Sequence, residues 1–113
     1  MLRAVRESLA RQPDLRIVGG AATVERGVQL AARLRPDVIV LDAEIAHLNA
    51  PTAIASLRAH ASTSALIVIS IEPDRLTSIV EADDRVFAVG KVEGAGGLIA
   101  AIRGVGSAQG PAR

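Results

Sequence analysis

The stretch Arg35-Pro36-Asp37-Val38-Ile39-Val40-Leu41-Asp42 decides the fold. Pro36 has no backbone N–H and disfavours helical geometry in the residue before it, so a helix must end there. Val38 to Leu41 then run without a polar residue between them. A strand with one wet face alternates apolar and polar. A short continuous apolar run reads instead as a strand covered on both faces, the habit of parallel sheets. The run stops at a carboxylate, Asp42.

The same grammar extends outward in both directions. Towards the N-terminus, Val24, Val28, Ala31 and Leu34 form an apolar stripe at helical spacing. Thr23 is the candidate N-cap, and Glu25 lies in the first turn, where the helix dipole favours it. Leu15 to Gly19 is a short strand candidate closed by Gly19-Gly20, with Pro13-Asp14 as the turn before it. Leu2, Val5 and Leu9 predict an opening amphipathic helix. Towards the C-terminus, a polar loop from Glu44 to Ala50 leads to Pro51 near a helix start, with Asn49 as candidate cap. Ile54 and Leu57 face inward on that helix. Ala65 to Ile69 is a second buried strand, ending at Ser70. Pro73 opens a short helix bearing Leu76, Ile79 and Val80. Arg85 to Val89 is the last strand, ending at Gly90-Lys91. Leu98, Ile99, Ile102 and Val105 stripe the last helix. The expected class is α/β, an open parallel sheet with helices on both faces, about four strands and five helices. Residues 1–105 form one domain, and 106–113, rich in Gly and Ala, read as a flexible tail or linker stub.

Composition narrows the function. The chain has 113 residues, no Cys, no Trp, no Tyr and one Phe, Phe87. Disulfides and thiolate-held metals are excluded, and stacking on bases has almost nothing to work with. A net charge of +1 gives no electrostatic footprint for nucleic acid or anionic membrane, so no direct binding to either is expected. No apolar run is long enough to span a bilayer, and the N-terminal Arg and Glu residues do not make a signal peptide. The expected location is the cytoplasm. Of 13 cationic Lys and Arg residues, Lys91 is the only Lys.

Three strands end in chemically distinct polar residues: a carboxylate at Asp42, a hydroxyl at Ser70 and an ammonium at Lys91. Right-handed crossovers bring the C-terminal ends of parallel strands to one edge, where ligands of open α/β sheets bind. A carboxylate there can attack a phosphoryl donor. An ammonium and a hydroxyl can then neutralise and hydrogen-bond the phosphoryl oxygens. The smaller signals have bland readings. His47 reads as a solvated loop residue and His60 as a helix C-terminal charge. Asp83-Asp84 belong to the opposite edge of the sheet. Gly94, Gly96 and Gly97 read as a flexible loop before the last helix, since their spacing matches no nucleotide-binding fingerprint.

Taken from Leu2 to Val105, the chain resembles the receiver domain of two-component response regulators, above all receivers preceding LuxR-type (NarL-type) DNA-binding domains. The resemblance is carried by Val5-Arg6-Glu7-Ser8-Leu9, by Arg35 to Asp42 and by Leu98-Ile99-Ala100-Ala101-Ile102-Arg103. It implies a flavodoxin-like fold, Asp42 as phospho-acceptor, and Ser70 and Lys91 as the residues that sense the phosphate. Several features depart from the family. Its first strand, which ends in two Mg²⁺-holding acids, has no counterpart here, leaving Asp42 with Glu44 or Glu72 at most as metal ligands. Ala46 and Ala50 replace a usual Pro and Gly. Ala88 stands where an aromatic switch residue is usual, Phe87 is read as core, and Val92 follows the Lys. No cofactor is expected, and Mg²⁺ only if an acidic pair is supplied.

The resemblance implies a non-enzymatic, atypical receiver in bacterial signal transduction. Its partners would be a sensor kinase or other signalling protein, with weak or absent phosphorylation of Asp42. The alternative is an N-terminally truncated but otherwise ordinary phospho-receiver of a LuxR-type DNA-binding transcriptional regulator. A flavodoxin-like ligand-binding domain or enzyme is a rival of another class. A missing central strand leaves unpaired backbone in the sheet. Three arrangements repair it: the Leu15–Gly19 strand pairs with Val38–Leu41, a second copy shares a strand in a homodimer, or the polypeptide begins upstream.

Overall fold

The computed structural model describes residues 2–43, 50–61, 63–82 and 84–109. Helix α1 (Leu2–Ala10) opens the chain, and α2 (Val24–Leu34) follows after an irregular connection. Strand β1 (Val38–Asp42), helix α3 (Ala50–His60) and strand β2 (Ala65–Ser70) come next. A 3₁₀ turn (Pro73–Leu76) leads into the short helix α4 (Thr77–Ala82). Strand β3 (Val86–Gly90), a second 3₁₀ turn (Lys91–Glu93) and helix α5 (Gly94–Gln109) complete the order.

The sheet is parallel, in the order β1-β2-β3. The continuous apolar runs explain it. On β2, Leu66 and Val68 point to one face and Ala65, Ile67 and Ile69 to the other, and all of them are buried. The first face packs on α2, α3, the Pro73–Leu76 turn and α4 through Ala31, Ile54, Leu57, Leu76 and Val80. The second packs on α1 and α5 through Val5, Leu9, Leu98, Ile102 and Val105. Helices therefore cover both faces, as the pattern of the strands predicts. Phe87 packs into the α1–α5 face, in keeping with a core role. Each fully buried Leu or Ile contributes roughly 1.5–3 kcal/mol.

Local signals behave as their chemistry requires. Thr23 Oγ1 accepts the Arg26 N–H at 3.2 Å, capping α2. Arg35 ends that helix in the left-handed region at φ 48°, its N–H on the Ala31 carbonyl. Pro36 then prevents continuation. At the N-terminal edge of the sheet, Arg58 of α3 reaches three carbonyls, those of Ala61, Ser64 and Arg85. Arg85 in turn donates to the Thr63 carbonyl. Buried Ser64 donates to the Pro36 carbonyl at 2.6 Å. These bonds satisfy loop carbonyls where strands begin.

Several expectations are corrected. Leu15–Gly19 is not a strand: the segment lies outside the sheet, with no ladder partner among the described residues. A strand exists only through its neighbour's hydrogen bonds, and among the described residues β1 pairs with β2 alone. The described sheet thus has three strands rather than four. Gly94, Gly96 and Gly97 do not precede the last helix; they form its first turn. Gly94, at φ 66°, makes the entry that a side chain would strain. Helix α5 runs to Gln109, into the segment read as a tail.

Gly97 is held to its type by contact. A Cβ there would lie 2.5 Å from Glu93 Cβ. Gly97→Ala should therefore cost about 1–3 kcal/mol despite its better helix propensity, measurable as a lower urea midpoint. A clasp joins the ends of the fold. Arg103 of α5 bonds both carboxylate oxygens of Asp14 at 3.0 Å and Gln12 Oε1 at 2.7 Å. The Arg103 hydrogen bond is the main cause holding the Asp14 carboxyl below its ordinary range. Its contribution is present above that range and is lost as pH falls through the lowered value. Acid titration of Arg103→Gln should show that part of the decline missing.

Candidate functional site

The site is built by strand ends. Asp42 closes β1, and its ladder partner is Ile69 of β2. One residue further on β2 is Ser70, whose partner is Gly90 at the end of β3. Lys91 follows at once. Parallel registers thus carry Asp42, Ser70 and Lys91 to the same C-terminal edge, although they lie far apart in sequence.

Two of the three meet directly. Lys91 Nζ lies 2.8 Å from Asp42 Oδ1. The Asp42 side chain is only 7 % exposed and that of Lys91 18 %. A pair this sheltered is screened far less than a surface ion pair, and each charge needs the other to stay out of water. Ser70 is also buried. Its Oγ accepts the Glu72 N–H at 3.1 Å, which fixes the turn leaving β2.

The turn carrying Lys91 has its own lock. Glu93 Oε2 accepts the Gly90 N–H at 3.0 Å, as in a capping box. Glu93 sets the backbone from which Lys91 reaches Asp42. Sequence reading passed it over, although an acid three residues beyond a strand-ending Gly, just before a helix, is the signal for such a cap.

The remaining candidates fall elsewhere. Glu72 pairs with Arg75 at 2.9 Å, and both side chains are well exposed. Glu44, His47 and Asn49 lie outside the described residues. His60 Nδ1 is hydrogen-bonded with the Ser56 carbonyl at 2.9 Å, at the end of α3. Among the described residues no three of His, Cys, Asp and Glu are grouped as a metal ion would need. Mg²⁺ takes several oxygens in octahedral geometry. The described donors do not fit it, because Asp42 faces an ammonium and Glu72 a guanidinium.

Two surface features adjoin the pair. Ile71 and Val92, the residues after Ser70 and Lys91, expose large apolar side chains, Val92 almost completely. Beside Lys91, a cavity of about 280 Å³ opens between Val5 and Ser8 of α1, Ile69 of β2 and Leu98 of α5. No described helix is long and apolar enough to cross a membrane.

No protein-family model matches the chain. Individual relatives do. Over 88 residues it is 32 % identical to the nitrate/nitrite response regulator protein NarL of Escherichia coli (strain K12), covering 74 % of this chain and 41 % of that protein. Over 67 residues it is 37 % identical to protein-glutamate methylesterase/protein-glutamine glutaminase 3 of Myxococcus xanthus (strain DK1622), covering 59 % of this chain and 19 % of that one. A protein of the same description from Alkalilimnicola ehrlichii is 30 % identical over 82 residues, 73 % of this chain and 21 % of its own length. The chain spans less than half the length of each of these relatives. The parallel sheet covered on both faces, the strand-end residues and these similarities agree: the chain belongs to the receiver-domain family of two-component response regulators.

Proposed function

We propose that this receiver acts in two-component signalling chiefly through protein contacts, and that Mg²⁺-dependent phosphorylation of Asp42 is weak or absent in the chain as it stands. The observation that carries this reading is the sheltered Asp42–Lys91 pair. For phosphorylation, Asp42 must attack a phosphoryl donor, with the leaving group departing from phosphorus as the acyl phosphate forms. The buried carboxylate faces an ammonium, and among the described residues no group of acids joins it to hold a divalent cation. Such transfers depend on that charge neutralisation. Lys91 and Ser70 are the residues that would meet the phosphoryl oxygens. The partners are a sensor kinase or other signalling protein and a second copy of the chain, acting in the cytoplasm. Exposed Ile71 and Val92 beside the pair suit protein contact.

The test is incubation with acetyl phosphate and Mg²⁺, read by intact mass. The expected result is little or no phosphoryl adduct. Rapid, complete labelling that Asp42→Asn abolishes would overturn the proposal.

The similarity to NarL supports a second reading, a phospho-receiver that is part of a longer transcriptional regulator. Labelling in the same assay favours it, as does flanking DNA that encodes a strand ending in two acids before Met1.

A further inference from the structure

The turn Lys91–Glu93 has only three residues between β3 and α5. It is held at two points. On its inner side Lys91 reaches Asp42, and both side chains are sheltered. On its outer side Glu93 Oε2 accepts the Gly90 N–H at 3.0 Å. Val92, between them, is 98 % exposed, so its side chain does not hold the turn. Glu93 is itself at the surface, yet it is closely seated. Two glycines make room for it. A Cβ on Gly90 would lie 3.4 Å from Glu93 Oε2, and one on Gly97 would overlap Glu93 Cβ. Gly90 ends β3 and Gly97 lies in the first turn of α5. Glu93 thus bridges the strand end and the helix start across the turn that carries Lys91.

Three residues leave little slack. The path of the backbone from Gly90 to Val92 decides where the Lys91 ammonium can go, and the Glu93 cap selects that path. Losing either attachment leaves the turn held at one point. Two attachments of one short turn are coupled even without touching, because each orders the backbone that the other needs.

We infer that Glu93 is the positioning residue that links Asp42 to the surface: while its carboxylate caps Gly90 the Asp42–Lys91 pair stays closed, and opening of the pair releases Glu93 and loosens the start of α5. This deepens the proposed function, rests on its reading that the closed pair withholds Asp42, and names what keeps the pair closed. It also places the control outside the site. Asp42 is buried and Glu93 exposed, so a signalling protein that touches Glu93 acts on Asp42 without entering the edge of the sheet. By reciprocity, a change at Asp42 alters the grip of Glu93 by the same factor.

The test uses the full chain. Lys91 is its only Lys, so acylation by N-hydroxysuccinimidyl acetate at one fixed pH, read by mass on the peptide that contains Lys91, reports the pair alone. Glu93→Ala should raise that rate about fivefold, the effect of one lost hydrogen bond on local opening. Glu93→Gln keeps an acceptor for the Gly90 N–H and should stay within about twofold of the parent. In the reverse direction, Asp42→Asn should speed exchange of the Gly90 amide about fivefold by NMR. The Arg35 N–H at the end of α2 should keep its rate, which separates the link from a general loss of stability. An unchanged Lys91 rate in Glu93→Ala, a Glu93→Gln rate as high as that of Glu93→Ala, or an unchanged Gly90 amide in Asp42→Asn overturns the inference. Neither readout involves a phosphoryl group. Rapid labelling of Asp42 by acetyl phosphate would therefore sink the reading of weak phosphorylation and leave the link between Glu93 and Lys91 intact.

Discussion

Lys91→Met should destabilise the fold by about 3 kcal/mol, the low end of the range for breaking a buried ion pair, because Lys91 keeps some access to water. The loss arises from the carboxylate left behind. Asp42 sits at a strand end with 7 % of its side chain exposed, so water cannot replace the ammonium. Adding Asp42→Asn to Lys91→Met should therefore recover much of the stability, because a neutral amide costs less to bury than a carboxylate. A double-mutant cycle in urea checks this. Additive losses would mean that the two side chains do not depend on each other. The cycle also bears on the proposed function. A pair that holds the resting fold together must be opened before Asp42 can take a phosphoryl group.

Leu66→Ala should cost about 3–4 kcal/mol, the usual range for removing a buried Leu from a packed core. Leu66 has no exposed surface and lies near the start of the middle strand. Its side chain fills the space between α3, α2 and the sheet, so neighbours on three elements would have to move to close the cavity. Domains of this kind hold only about 5–15 kcal/mol in total. The variant should melt at least about 10 °C lower. Val92→Ala is the control. It also removes a branched apolar side chain, but one almost fully in water, and should leave the melting temperature unchanged.

The strands on which both variants act were legible because burial on both faces writes itself as an unbroken apolar run. Val38–Leu41, Ala65–Ile69 and Arg85–Val89 were each placed to within a residue of the observed strands. Leu15–Gly19 shows the limit of that logic. Its residues suit a strand, but pairing is a property of a neighbour, and local composition cannot supply one. Asp42 and Lys91 were legible for a topological reason, since parallel strands end on one edge. Their direct contact was not, because it depends on side-chain reach and on the Glu93 lock that turns Lys91 inward. The glycines of α5 misled for a related reason. Their poor helix propensity is outweighed by tertiary packing of Leu98 and Val105 against the sheet.

Among the described residues both β1 and β3 pair only with β2, and this arrangement also governs how the chain can come together during synthesis. The ribosome delivers β1 before β2, and the β1–β2 ladder cannot form until α3 and then β2 have left the exit tunnel. Throughout that interval the side of Val38 to Leu41 that will bond β2 waits for its partner. No local segment can take that place, since parallel neighbours are always separated by a crossover. The step that ends this interval is closure of the α3 crossover. The helical propensity of residues 50–60 thus sets how long the nascent chain remains open to chaperones and to its own copies on the same polysome.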